Sequence, residues 1–522
     1  MDARRDLPHR TVPIYLTHSD VRIDSVLAAL EVAGLQLDEL RPATRTVLDT
    51  FDGRLHATGS RLELRNGHQR ELVLMGPAGS LPAHLPWEVA APSRAADLPP
   101  GPFGARVAAA IVERALLPIL EVSSTCRRAT RDDRRDKPVV TVVVHDDVRA
   151  SPAPAESLPA WVVEVSASTG HESEVDRVVA TLAALGLRAR DGDLIDAVLA
   201  ATGRTLAGHT DSPTVPLRRG DDSLEAFRLV LRNLLTSITD NLPGTLADLD
   251  PEFLHDLRVA VRRTRSVLAE GKKVLPPEIR DHFRAGFATL GAATGRARDL
   301  DVYLLGYADT VGRLQIDDPS VLAPLLSELE ARRESAYAEM AAVLRSDDTR
   351  ELLDGWRRWL DDPAVVDSDA GPVGPYIASR IAKAQAGLLR DGRAITAASP
   401  AERLHDLRKD AKRLRYLFEC FGSLLPTKGR KSFVAQLKAL QDNLGQHQDA
   451  EVQVAELRDL AHHLRDRLGI GTDTLLAVGR LVDHLERVRQ RERDAFDDRF
   501  AAYDTPANAS LLDALLAKAA TA

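Results

Sequence analysis

The spacing of apolar and polar positions divides the chain into two textures. In residues 1–200, short runs such as Arg61-Leu-Glu-Leu-Arg65, Glu71-Leu-Val-Leu-Met75, Val139 to Val144 and Trp161 to Val165 are bounded by Gly, Pro and Asn, and predict strands. Apolar positions recur at helical spacing over 21–34, 103–117 and 173–186. Residues 1–202 therefore read as an α+β domain. Residues 203–222 are rich in Gly, Pro, Thr and Asp with little periodicity, which predicts a linker. From 223 to 522 the period stays helical, with breaks at Pro243, Pro276-Pro277, Pro319, Pro363, Pro372 and Pro426. That pattern predicts an all-α domain of about eight or nine helices. The longest apolar stretch, 107–122, is interrupted by Glu113 and Arg114. It falls short of the ~18 uninterrupted residues of a membrane span, so no membrane partner is expected. The first residues lead into no apolar run, and no signal peptide is expected.

The helical part contains a repeat. Leu254-His-Asp-Leu-Arg-Val-Ala-Val-Arg-Arg-Thr-Arg265 returns 150 residues later as Leu404-His-Asp-Leu-Arg-Lys-Asp-Ala-Lys-Arg-Leu-Arg415. Leu290, Gly295 and Asp299 match Leu440, Gly445 and Asp449 at the same offset. A constant offset predicts two homologous halves, about 223–362 and 372–505, related by a pseudo-twofold. At ~100° per residue, His255, Arg258, Arg262 and Arg265 share one stripe of their helix, and Leu257, Ala260, Val261 and Leu268 share the other. The second copy repeats this with His405, Arg408, Lys412 and Arg415 against Leu407, Ala411, Leu414 and Phe418. Arg263 and Arg413 lie about 80° round and widen the ridge.

Composition sharpens this reading. The formal net charge is −8, with 28% charged residues, so no basic chain-wide excess attracts a polyanion. The cations are clustered instead, and the local field decides binding. Solvated helix faces usually mix signs, because like charges at i,i+4 repel by ~0.2–0.5 kcal/mol. Here like charges stack twice, and an anion would offset the repulsion. Arginine offers planar bidentate donors suited to phosphate oxygens. With 4% aromatic residues, stacking platforms for single-stranded nucleic acid are few, and no helix-turn-helix or zinc-finger signature stands out, so nucleic acid is an unfavoured partner. No metal is expected: cations flank His255 and His405, and Asp299, Asp301 and Asp449 are better placed to orient arginines. Cys126 and Cys420 make no zinc or redox spacing and fit a reducing cytoplasm.

The duplicated basic helix, followed by the helix bearing Gly and Asp, resembles the CHAD domain over residues 223–505. Arg298-Asp299-Leu-Asp301-Val302 and Lys412-Arg413-Leu-Arg415-Tyr416 carry the likeness further. The resemblance implies two four-helix bundles, a central basic channel that binds inorganic polyphosphate, and localisation at polyphosphate granules. Its binding residues would be His255, Arg258, Arg262, Arg263, Arg265, Arg298, His405, Arg408, Lys412, Arg413 and Arg415, with Lys438 on the following helix. Gln448 stands where the first copy has Arg298.

Residues 1–202 resemble a CYTH domain, a triphosphate-tunnel antiparallel β-barrel. The likeness rests on Asp49-Thr-Phe-Asp52, Gly59 to Arg65 and Glu71 to Pro77, with Thr125 to Arg128 and Val163 to Val165 resembling later strands. The catalytic pattern is depleted. The first-strand acids and lysine are replaced by Thr11-Val-Pro-Ile-Tyr-Leu-Thr17. Glu63 and Met75 stand where the family has cations. Metal-dependent triphosphate hydrolysis needs paired carboxylates and several cations. The expectation is therefore a polyphosphate-binding protein with no cofactor and no catalytic residues. Two alternatives are a triphosphatase using Arg65, Arg128 and Glu164, and a nucleic-acid-binding scaffold.

Overall fold

The computed structural model describes residues 14–17, 21–77, 82–134, 137–152, 158–168, 170–209, 214–314, 318–362 and 371–521. The chain divides into two compact units, Met1–Thr210 and Asp211–Ala522, so the division falls inside the stretch predicted as a linker. No helix among the described residues is long and apolar enough to cross a membrane.

The first unit is built on an antiparallel sheet. Its strands are β1 (Ile14–Thr17), β2 (Gln36–Leu37), β3 (Arg41–Asp49), β4 (Arg61–Asn66), β5 (Arg70–Met75), β6 (Ala83–Pro86), β7 (Leu117–Asp132), β8 (Pro138–Ser151), β9 (Trp161–Ala167) and β10 (Arg188–Asp191). Residues 11–13 of the depleted first-strand pattern lie outside the described residues. The helices are α1 (Ile23–Val32), α2 (Arg54–Ala57), α3 (Pro102–Ile111), α4 (Glu172–Ala183) and α5 (Leu194–Thr202). The sheet order is β10-β1-β9-β8-β7-β3-β4-β5-β6, with β2 on β7. Among the described residues β10 and β6 do not pair with each other, so the sheet is open where a closed barrel was expected. Strand alternation sorts the side chains. On β9, Val163 and Val165 join a core with Val26 and Leu30 of α1 and Val178 and Leu182 of α4. Val162 packs instead with Leu194, Ile195 and Val198 of α5. The apolar run 107–122 is shared between the end of α3 and the start of β7. It does not continue one helix to 117, because Val112 turns the chain at φ 55°.

The second unit is all helical, and the repeat governs its order. It contains α6 (Ser223–Leu246), α7 (Pro251–Glu270), α8 (Pro277–Ala293), α9 (Gly295–Arg313), α10 (Ala323–Leu344) and α11 (Asp347–Asp361). These are followed by α12 (Val373–Arg393), α13 (Ala401–Cys420), α14 (Thr427–Leu468), α15 (Thr472–Asp494), α16 (Phe496–Tyr503) and α17 (Pro506–Ala520). The 150-residue offset maps α6 onto α12, α7 onto α13, α8 and α9 onto α14, α10 onto α15, and α11 onto α16 and α17. Each half thus has more helical segments than a four-helix bundle. The predicted apolar stripes are buried: Leu257, Ala260, Val261 and Leu268 on α7, and Leu407, Ala411, Leu414 and Phe418 on α13. Of the prolines expected to break the helices, Pro276, Pro277, Pro319, Pro372 and Pro426 stand at helix starts, where the missing N–H costs nothing, and Pro363 lies outside the described residues. Pro243 is different, since α6 continues through it to Leu246. The next residue, Gly244, lets α6 approach the Phe253 ring so closely that a Cβ would collide with it. Residues 214–222 strap onto the second half: Thr214 donates to the Glu419 carbonyl, and Val373 N–H donates to the Asp221 carbonyl.

Candidate anion-binding site

Helices α7 and α13 begin their basic stripes at equivalent places and pack against one another. Asp250 caps α7 by accepting from Glu252 and Phe253 N–H, which fixes where the helix, and so its register of arginines, starts. The apolar stripe of each helix is committed to the core. His255, Arg258 and Arg262 on α7 and His405, Arg408, Lys412 and Arg415 on α13 are half-buried, and Arg265 is exposed.

The glycines of the motif lie beside the ridge arginines. Arg258 lies across the α8–α9 junction, where Nη1 donates to the Gly291 carbonyl (3.1 Å) and to Thr294 Oγ1 (3.0 Å). A Cβ on Gly295 would sit 3.6 Å from that guanidinium, and one on Gly445 would sit 3.9 Å from Arg408. At these distances a Cβ would make ordinary van der Waals contact with the arginine. Arg408 donates to Asp449 Oδ1 at 3.0 Å, so this acid does orient a ridge arginine. Asp301 orients a different one, Arg333 (2.7 Å), with Tyr337. Among the described residues no group of three or more His, Cys, Asp or Glu side chains could hold a metal ion.

The electrostatics are those of crowded cations. Burial, then Arg408 and Arg262, push the Lys412 ammonium down to about 7, with Asp449 opposing. Arg262 belongs to the other half, so the two ridges feel one another. Burial and Arg262 likewise lower Arg258 to about 10. The Asp299 carboxyl is raised by desolvation and by Asp449 of the other copy of the repeat, against the pull of Arg258 and Arg262. The Nε donors of Arg258, Arg262 and Arg408 are buried with no hydrogen-bond partner. An unmet buried donor costs about 1–3 kcal/mol. Three of them on two mutually repelling stripes form a surface that an anion would relieve.

Other candidate residues have different duties. Arg263 donates to Glu419 Oε2 (3.0 and 2.8 Å), and Arg413 pairs with Glu270. Both are therefore inter-half bridges, α7 to α13 and back. Arg298 donates to the Pro251 carbonyl (2.9 Å) and faces Glu252 at 3.5 Å, which holds the start of α7. Its counterpart Gln448 accepts from His405 Nδ1 through Oε1 at 2.5 Å, so an orienting partner for the histidine stands where the first copy has a cation. Lys438 is exposed on α14.

The first unit carries a second charged cluster, on the sheet face that α5 covers. Register sets Arg45 opposite Arg65 and Val47 opposite Glu63, which gathers alternate residues of β3 and β4 on one side. Glu63 is fully buried and accepts from Arg61 Nε (2.6 Å) and Arg65 Nε (2.7 Å). Burial opposes its ionisation, yet Arg65, Arg61 and Arg45 together hold its carboxyl below the ordinary range. Arg45 grips Glu164 with two bonds, 2.8 and 2.5 Å, and Glu164 also accepts from Leu194 N–H at the start of α5. His145 bridges Glu164 (3.3 Å) and Ser124 (2.9 Å). Asp193, the N-cap of α5, pairs with Arg61. Sequence reasoning had singled out Arg65, Glu63 and Glu164. It missed Arg45, Arg61, Asp193 and His145; of these only Arg61 falls on a predicted strand, and Asp193 caps a helix.

Residues 229–458 match the family model described as CHAD domain. Among solved structures, the chain is similar to the CHAD domain from the plant Ricinus communis, at 27% identity over 56% of this chain and 96% of that one, with TM-score 0.47. It is also similar to PptA from Streptomyces chartreusis, at 19% identity over 54% and 100%, TM-score 0.42. A third likeness is to the PH1819 protein from Pyrococcus horikoshii OT3, at 11% identity over 37% and 99%, TM-score 0.25. No curated protein matches the chain. The family model and the two copies of the basic helix that it spans identify residues 229–458 as a CHAD domain.

Proposed function

We propose that the helical unit binds inorganic polyphosphate along the ridges of α7 and α13, as two pseudo-twofold-related halves sharing one basic groove. The observation that carries this is the set of buried, unpartnered Nε donors on Arg258, Arg262 and Arg408, beside Lys412, whose pKa burial and then its cationic neighbours lower to about 7. A flexible chain of phosphates supplies acceptors at every step, where a duplex would require a wider surface. CHAD domains are linked to polyphosphate binding in general, and this supports the substrate class. In this reading the protein is cytoplasmic and gathers at polyphosphate granules.

The first unit, in the same reading, is a degenerate CYTH-like domain without catalytic function. Its support is internal neutralisation: Glu63, Glu164 and Asp193 occupy Arg45, Arg61 and Arg65, so the cations that would hold a triphosphate are spent within the fold.

The test is binding of long-chain polyphosphate across a salt series. Six contacts at about −0.7 per phosphate give a slope of log K on log salt of roughly −4. A flat salt response, or displacement by equal concentrations of single-stranded or duplex nucleic acid, would overturn the reading.

A further inference from the structure

The two ridges are not electrostatically equal, and one of the differences lies at Glu419. Glu419, near the end of α13, receives both bonds of the Arg263 guanidinium on Oε2. Its other oxygen lies 3.1 Å from Arg415 Nε, though Arg415 Nε is not aligned for a hydrogen bond. One carboxylate thus serves a ridge arginine of its own helix and an arginine from the other half. A carboxylate clamped by arginine reproduces the contacts a phosphate oxygen would make. In the first half the equivalent position is Ala269. The neighbouring Glu270 is fully buried and taken by Arg380 and Arg413. Arg265, the counterpart of Arg415, has no ion pair among the described residues and is exposed.

We propose that Glu419 is an internal competitor for the polyanion, a specificity-determining residue that withholds Arg415 and Arg263 and limits how many phosphates the site engages. The proposal rests on the polyphosphate reading above. A bound chain reaches Arg258, Arg262, Arg265, Arg408 and Lys412 directly, and it takes Arg415 only by displacing the carboxylate. Removing the charge at 419 releases two guanidinium groups to the ligand.

The experiment uses the full chain and long-chain polyphosphate. Glu419→Gln should bind more tightly by roughly two- to tenfold at 0.15 M salt, the worth of about one partly exposed charge pair. Its salt slope should steepen by about 0.7 to 1.4, one or two further phosphates. Arg263→Gln breaks the same bridge between α7 and α13 but leaves the carboxylate on Arg415, so it should give no gain. Ala269→Glu installs a carboxylate four residues from Arg265, at the position equivalent to Glu419, and it should weaken binding and make the slope shallower by about 0.7. This second variant decides the matter should Glu419→Gln unfold. Unchanged or weaker binding by a folded Glu419→Gln overturns the proposal, as does an equal gain in Arg263→Gln or no effect of Ala269→Glu. If the wild-type chain binds no polyphosphate, the underlying reading fails and takes this one with it.

Discussion

Binding of polyphosphate should take up a proton at Lys412. In the free site this ammonium is held near 7 by burial and by Arg408 and Arg415 of its own helix and Arg262 of α7, against Asp449 of α14. A neighbouring phosphate reverses the balance and returns the lysine towards its ordinary value of ~10.4. Between pH 6 and 8 the protonated fraction of the free site then falls about tenfold, and Kd should rise by the same factor. Proton uptake should be about half a proton at pH 7 and nearly one at pH 8. The sign for stability follows from the depressed folded value. The unfolded chain keeps its lysine proton up to ~10.4, so the ligand-free fold gains stability as pH rises from 7 towards that value. The assay is Kd at constant ionic strength from pH 6 to 8.5, with calorimetry in buffers of different ionisation enthalpy. Lys412→Arg keeps the charge without titrating, and it should flatten the curve by about tenfold. Titration of the ligand or of other groups is common to both proteins and cancels in the comparison. Identical pH profiles for the wild type and Lys412→Arg would refute the argument.

Three other outcomes are expected. Arg258→Glu with Arg262→Glu should remove more than half of the binding free energy with the helical signal intact. The same changes at Arg357 and Arg358, outside the repeat, should do little, and equal losses from both pairs would mean that the ridge is not the site. The purified protein should release no phosphate from tripolyphosphate with Mg²⁺ or Mn²⁺. Turnover that is lost on Arg65→Ala or Glu164→Ala would restore the enzyme alternative. Glu63→Ala should destabilise the first unit by about 3–5 kcal/mol, because it strips the buried partner from Arg61 and Arg65. Thermal unfolding monitored in that unit checks this, and a shift of less than about 1 kcal/mol would show that water or Asp193 replaces the lost carboxylate.

Much of the helical unit was legible in advance because its information is local. Period 3.6 and a constant offset require no knowledge of contacts, and α7 and α13 fall at equivalent positions with the expected apolar stripes buried. The glycine and aspartate of the following helix were visible as a motif, but their purpose was not. Only the packing shows that Gly295 and Gly445 lie beside Arg258 and Arg408, and that Asp449 pairs with Arg408. In the first unit, four strands were readable from alternation, while the sheet order and its open edges were not.

The sequence by itself determined which side chains each helix turns to one face: the two basic stripes and the apolar stripes beneath them. That follows from backbone geometry, which repeats every few residues. Tertiary structure decided which charges are left over. Arg263 and Arg413 look like ridge members on a helical wheel, yet carboxylates 156 and 143 residues away take them. Arg45 and Glu164 are 119 residues apart and neutralise one another inside the sheet. Lys412 is an ordinary lysine until burial strips it of solvent and Arg408 and Arg262 repel its charge. Charge interacts through space and through the dielectric that the fold creates, and neither quantity is written in the spacing of residues along the chain.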